Sequence, residues 1–202
     1  MNDVQQTTNG GYLIVGETKS FNGDVTNNHG SLDSWIIKLQ TNGNLQWQKT
    51  YGGSRNDRAN CTQKTNDGHY IIAGYTESNN GDITNSHDGT DAWVIKIDDL
   101  GNILQQTTVG TNSTEGANSI LQTHDNNLLI TGYSPIIGSA NFNIFIVALN
   151  TNFTLLWQQK IPQGDSGSMP KTIFETPDSG YMLFGNHFLG NGLTTDIAIK
   201  LK

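Results

Sequence analysis

The chain has 202 residues, of which 34% are hydrophobic and only 14% charged, with 23 glycines and a formal net charge of −7. The few Lys and Arg residues form no cluster, which argues against a nucleic-acid surface, since phosphate neutralisation needs a basic stripe. No stretch approaches the roughly 18 apolar residues of a membrane span, and Met1–Gln5 shows no basic region running into an apolar one, so no signal peptide is expected.

In chain order, the first short run rich in β-formers is Val4 to Thr7. It is followed by Gly11-Tyr12-Leu13-Ile14-Val15-Gly16, then by Asp33-Ser34-Trp35-Ile36-Ile37-Lys38-Leu39, and then by Gly43-Asn44-Leu45-Gln46-Trp47-Gln48-Lys49. The same four runs return. The second recurs as His69–Gly74, Asn127–Gly132 and Gly180–Gly185, and its closing glycines at 16, 74, 132 and 185 set periods of 58, 58 and 53 residues. The third recurs as Asp91–Ile97, Asn143–Leu149 and Thr195–Leu201. The first recurs at Thr62–Thr65, Ile120–Thr123 and Ile173–Thr176. Relatives of the fourth begin at Gly101 and Phe153. Runs of Ile, Val, Trp, Tyr and Thr bounded by Gly, Asn and Asp predict strands, and no window carries a helical period.

Four strands per repeat, called a to d, predict an all-β chain built of four-stranded antiparallel blades: a β-propeller, or part of one. A hairpin-stacked solenoid is the runner-up, and a single sandwich suits repeating sets of four less well. The blades are expected at residues 1–51, 52–109, 110–163 and 164–202, the last without its outermost strand. Tight turns such as Asn66-Asp67-Gly68 join a to b, and similar turns join c to d. The long b–c connections and the Gly-rich d–a connections should emerge together at the opposite end, where a rigid scaffold commonly carries its binding residues.

Several loop residues are candidates for chemistry. Asn22-Gly23-Asp24 recurs as Asn80-Gly81-Asp82, followed by Asp33 and Asp91, and oxygen donors at alternate positions suit Ca²⁺. Local turn bonding is the simpler account of the same residues, and the third and fourth repeats lose the motif. His29 and His87 hold equivalent loop positions, and Tyr51, Tyr75 and Tyr133 lie near strand ends. Asp57, Glu115 and Asp165 sit in d–a connections, where two converging carboxylates would serve glycosidic acid–base chemistry. The expected ligand residues are thus Tyr75, Tyr133, His29, His87 and Asp57. The expected metal residues are Asn22, Asp24, Asp33, Asn80, Asp82 and Asp91. The single Cys61 forms no intramolecular disulfide, and no spacing suits zinc. No nucleophile elbow or phosphate loop is present.

The combination of Asp67-Gly68-His69-Tyr70-Ile71-Ile72-Ala73-Gly74-Tyr75-Thr76, Asn80-Gly81-Asp82-Ile83-Thr84, Asp91-Ala92-Trp93-Val94-Ile95-Lys96 and Gln48-Lys49-Thr50-Tyr51-Gly52-Gly53-Ser54 resembles the repeats of large secreted proteins of the Bacteroidetes type, which often carry a C-terminal sorting domain elsewhere. The resemblance is strongest in the first two repeats. It implies a propeller with an extracellular or cell-surface location, and it implies no defined activity. Three functional expectations follow. The first is a non-enzymatic module that binds carbohydrate or protein through the long-loop end. The second is an assembly subunit whose blades complete a ring or filament between chains, or within a longer chain. The third is a carbohydrate-active hydrolase or lyase using loop carboxylates.

Overall fold

The computed structural model describes residues 1–87, 89–111, 113–139, 141–163, 167–189 and 193–201. Every regular element among them is a strand, so no helix there is long and apolar enough to cross a membrane. The first sheet is β1 (Asp3–Gln6), β2 (Tyr12–Thr18), β3 (Asp33–Leu39) and β4 (Leu45–Tyr51). The second is β5 (Asp57–Lys64), β6 (Tyr70–Thr76), β7 (Asp91–Ile97) and β8 (Ile103–Val109). The third is β9 (Gly116–Gln122), β10 (Leu128–Pro135), β11 (Phe142–Leu149) and β12 (Leu155–Ile161). The fourth holds β13 (Ser168–Glu175), β14 (Tyr181–Leu189) and β15 (Leu193–Leu201). Each sheet is an antiparallel meander in chain order, and the fourth has three strands.

The first strands of the later sheets start earlier than their apolar runs suggest. Asp57 to Cys61 belongs to β5 because its backbone pairs with Ala73 to Thr76, although Asp57, Arg58 and Asn60 break up any apolar run. Arg58 and Asn60 face a cleft, and the buried Asp57 is satisfied by hydrogen bonds, so neither kind of polar residue disrupts the strand. One extra residue in each of these strands makes a bulge, at Asn60, Asn118 and Lys171.

The sheets stack in series, and the core is three successive slabs. Leu13, Val15 and Ile36 of the first sheet meet Tyr70, Ile72, Trp93, Ile95 and Ile97 of the second. Ile71, Ala73 and Val94 on the other face of the second sheet meet Ile130, Phe145 and Val147 of the third. Leu129, Ile144 and Ile146 meet Ile173 and Leu183 of the fourth. This explains the continuous apolar runs of strands b and c: in β6 and β7 neighbouring sheets bury both faces, so alternation disappears. The d strands lie at the rim, and β12 is almost wholly exposed.

Both ends of the stack keep one uncovered face. Val4 and Tyr12 are exposed on the first sheet, and Phe174 and Phe184 are exposed and stacked on the fourth. The long and Gly-rich connections do emerge together: Asp57 N donates to Leu32 O at 2.6 Å, and Glu115 N donates to Thr90 O at 2.8 Å.

Candidate functional site: a cleft between the first strands with a tyrosine-lined mouth

All four first strands border one cleft of about 600 Å³, to which Asp3, Asn60, Asn118 and Lys171 contribute. In the later three sheets the bulge residue, Asn60, Asn118 or Lys171, reaches the cleft, since an extra residue breaks the alternation of the strand. Asn2, Asn60 and Asn118 stand 58 residues apart. Each donates its side-chain amide to the first strand of the next sheet: to Ala59 O at 2.8 Å, Ala117 O at 2.8 Å and Pro170 O at 2.9 Å. This asparagine ladder fixes the spacing of the strands around the cleft. It was not anticipated from the sequence, although the 58-residue spacing of the asparagines was there to be read.

The cleft opens into a second cavity of about 430 Å³, sharing Arg58, Asn60, Asn118 and Met169 with it and adding Tyr75, Tyr133 and Phe142. Tyr75 and Tyr133 occupy the same place in consecutive repeats, one residue beyond the closing glycine. Tyr75 pairs across the sheet with Arg58, and Tyr133 with Gly116. Gly116 is required here, since a Cβ would lie 2.5 Å from the Tyr133 ring. Phe142 meets Tyr133 edge-on at 5.2 Å between ring centroids. Burial, with Tyr75 alongside, pushes the Tyr133 phenol up to about 12, and burial raises Tyr75 as well. Both hydroxyls are therefore protonated donors at neutral pH. Arg58 is anchored to Glu17 at 3.2 Å, and its Nε is buried without a hydrogen bond.

The other expected site residues are placed elsewhere. Asp57 is fully buried and accepts from Gly53 N at 2.7 Å, from Ser78 Oγ at 2.8 Å and from Thr76 Oγ1. Asp33 is also fully buried and takes the backbone NH of His29 at 2.7 Å, with the ring Nδ1 at 2.8 Å. Asp91 repeats this with His87, at 2.6 Å and 3.1 Å. The two histidines thus pin their own loops. Burial raises the Asp33 carboxyl against the opposing effect of its His29 bonds, with Asp57 adding to the rise.

These carboxylates form a repeated inter-sheet device. Asp33 and Asp57 approach from two sides of Gly52, where a Cβ would lie 2.9 Å from one and 2.7 Å from the other. Asp91 and Glu115 do the same around Gly110. Burial pushes Glu115 up, but bonds from Lys160 and Thr111 outweigh it and hold the carboxyl below its usual range. At the third junction the pair is neutral: Gln163 N donates to Asn143 at 3.2 Å, and Ser168 donates to Gln163 Oε1 at 2.7 Å. Both acid pairs are thus buried beside a glycine at a joint between sheets, and in the first of them Asp33 Oδ1 makes no hydrogen bond. Asp165 lies outside the described residues.

The Asn-Gly-Asp loop of the second repeat is a hook on the preceding sheet. Asn80 Oδ1 accepts Ser54 N at 2.9 Å, Asp82 Oδ2 accepts Gly52 N at 3.1 Å, and Asp82 N donates to Gly52 O at 3.0 Å. A Cβ on Gly81 would lie 2.3 Å from Gly52 O. In the first repeat the loop has the same shape, with φ +68° at both Gly23 and Gly81. There Asn22 and Asp24 are exposed, and nothing lies within 4 Å of the place a Gly23 Cβ would take. Among the described residues no three His, Cys, Asp or Glu side chains gather as a metal site would require. Tyr51, expected near a ligand, is instead buried and donates to Gly101 O at 2.6 Å.

No family model and no curated protein matches the chain. Among solved structures, an endo-1,4-beta-xylanase from Bacteroides thetaiotaomicron aligns with 98% of this chain and 94% of its own, at 9% identity and a TM-score of 0.37.

Proposed function

We propose that the four sheets are blades of a β-propeller and that the chain is a non-enzymatic carbohydrate-binding module of an extracellular or cell-surface protein, its ligand entering the mouth of the cleft. One observation carries the reading: Tyr75, Tyr133 and Phe142 gather with Arg58, Asn60 and Asn118 around a cavity of about 430 Å³ at the long-loop end. A sugar ring presents an apolar C–H face and a rim of hydroxyls. The aromatic rings suit the first, and planar amide and guanidinium groups suit the second. The cavity falls in the size range of small-ligand sites. A binding role also fits Asp57 and Glu115, which are spent on backbone amides and on neighbouring hydroxyl and amino groups. The extracellular location rests on the resemblance of the repeats.

The test is titration calorimetry with oligosaccharides selected on a glycan array, using the unchanged chain and the single variants Tyr75→Ala and Tyr133→Ala. Loss of one stacked ring removes roughly 1 kcal/mol, so each variant should bind about fivefold to tenfold more weakly with its fold retained. A chain that binds no glycan, or variants that bind as well as the original, would overturn the reading.

A further inference from the structure

The two ends of the stack carry unlike faces, and each repeats a face that is buried inside the molecule. On the first sheet the uncovered face presents Tyr12, Ile14, Trp35, Ile37 and Leu39. One repeat on, the same positions are Tyr70, Ile72, Trp93, Ile95 and Ile97, all buried against the sheet before them. Tyr12 is 40% exposed where Tyr70 is 0%. On the fourth sheet the uncovered face presents Met182, Phe184 and Ala198, with Phe174 stacked on Phe184 at 5.6 Å. Counted from the closing glycines, Met182 and Phe184 correspond to Leu13 and Val15 and to Ile71 and Ala73, which are all buried against the sheet that follows. Each described junction joins one face of each kind, as the pairing of Leu13 and Val15 with Ile72 and Trp93 illustrates.

We propose that two copies of this chain associate head to tail, the Phe174/Phe184 face of one packing on the Tyr12/Trp35 face of the other. The interface continues the internal stacking across the chain boundary. It is heterologous, so it yields a closed ring if the rotation allows and a filament if it does not. Uncovered aromatic and aliphatic residues on both faces supply the apolar drive. The Asn22–Asp24 loop lies outside both apolar faces, and its counterpart Asn80–Asp82 grips backbone at Gly52 and Ser54 rather than a strand face. Association is independent of the carbohydrate site at the cleft mouth.

The experiment is sedimentation or light scattering of the 202-residue chain at high-micromolar concentration, with the variants Tyr12→Asp, Phe184→Asp and, as a control, Asp24→Ala. A mass at a multiple of 22.0 kDa is expected for the unchanged chain and for the control. Each face variant should raise the dissociation constant at least tenfold, and mixing the two should restore a one-to-one complex, since one intact pair of faces survives. A monomeric unchanged chain overturns the proposal. So does sensitivity to only one face variant, which would mean that like faces pair, and so does a mixture that fails to associate. Circular dichroism checks folding, and Val4→Asp and Phe174→Asp replace any variant that does not fold.

Discussion

Asp24 and Asp82 lie in near-identical sequence, Asn-Gly-Asp followed by Val25 or Ile83, and differ in what stands in front of them. The carboxylate of Asp82 holds Gly52 N at 3.1 Å across a sheet boundary, whereas Asp24 is exposed. A hydrogen bond from a backbone amide to a carboxylate contributes on the order of 1–2 kcal/mol once one partner is partly buried. Asp82→Ala should therefore lower stability by about that amount in denaturant titration, while Asp24→Ala should stay within about 0.5 kcal/mol of the original. Equal losses from both would mean that the loop's own turn geometry, rather than the hook, sets the value of the residue. The acid pairs around Gly52 and Gly110 belong to the same scale. They resemble a catalytic dyad in composition, yet burial beside Gly52 and Gly110 makes them joints, even though Asp33 Oδ1 takes no donor.

Strands β3 and β7 are near copies, Asp33-Ser34-Trp35-Ile36-Ile37-Lys38-Leu39 against Asp91-Ala92-Trp93-Val94-Ile95-Lys96-Ile97. Each tryptophan donates its indole NH to a glutamine of the adjoining strand, at 2.9 Å for Trp35 and 3.2 Å for Trp93. Burial separates them, since Trp93 is 3% exposed beneath the first sheet and Trp35 lies on the uncovered face. Truncating a buried tryptophan leaves a cavity and costs about 3–5 kcal/mol. Trp93→Ala should show a loss of that size by chemical denaturation at dilutions where the chain is monomeric. Trp35→Ala should cost only about 1–2 kcal/mol there, because less apolar surface returns to water. Comparable losses would show that the outer face of β3 is covered even in the single chain.

At the scale of the whole molecule, stability should follow the stack. An array in which each sheet contacts its sequence neighbours gains from every interface, and its terminal members are covered on one face only. The inner strands β6, β7, β10 and β11 have both faces buried, while β14 and β15 are largely half-buried or exposed. In the Phe184→Asp variant, where association does not mask the end, amides of β6, β7, β10 and β11 should exchange slowest. Those of β14 and β15 should exchange at least about tenfold faster. Uniform protection across all four sheets would indicate one cooperative unit instead.

The sequence by itself determined the repeat, the all-β character and the sorting of connections to two ends. Closing glycines, turn residues and apolar runs are local signals, and their period survives substitution. It also placed Tyr75 and Tyr133 among the candidate ligand residues, from their position beside those glycines. It could not distinguish Asn22–Asp24 from Asn80–Asp82, Trp35 from Trp93, or an open acid pair from a closed one, because each distinction depends on a neighbouring sheet some 50 residues away. The early starts of β5 and β9 escaped for a related reason: Arg58, Asn60 and Asn118 face a cleft that exists only once four first strands converge, and Asp57 is satisfied in part by Ser78 of a neighbouring loop. Only the tertiary structure decided which faces are covered, since burial is a property of what packs against a residue rather than of the residue itself.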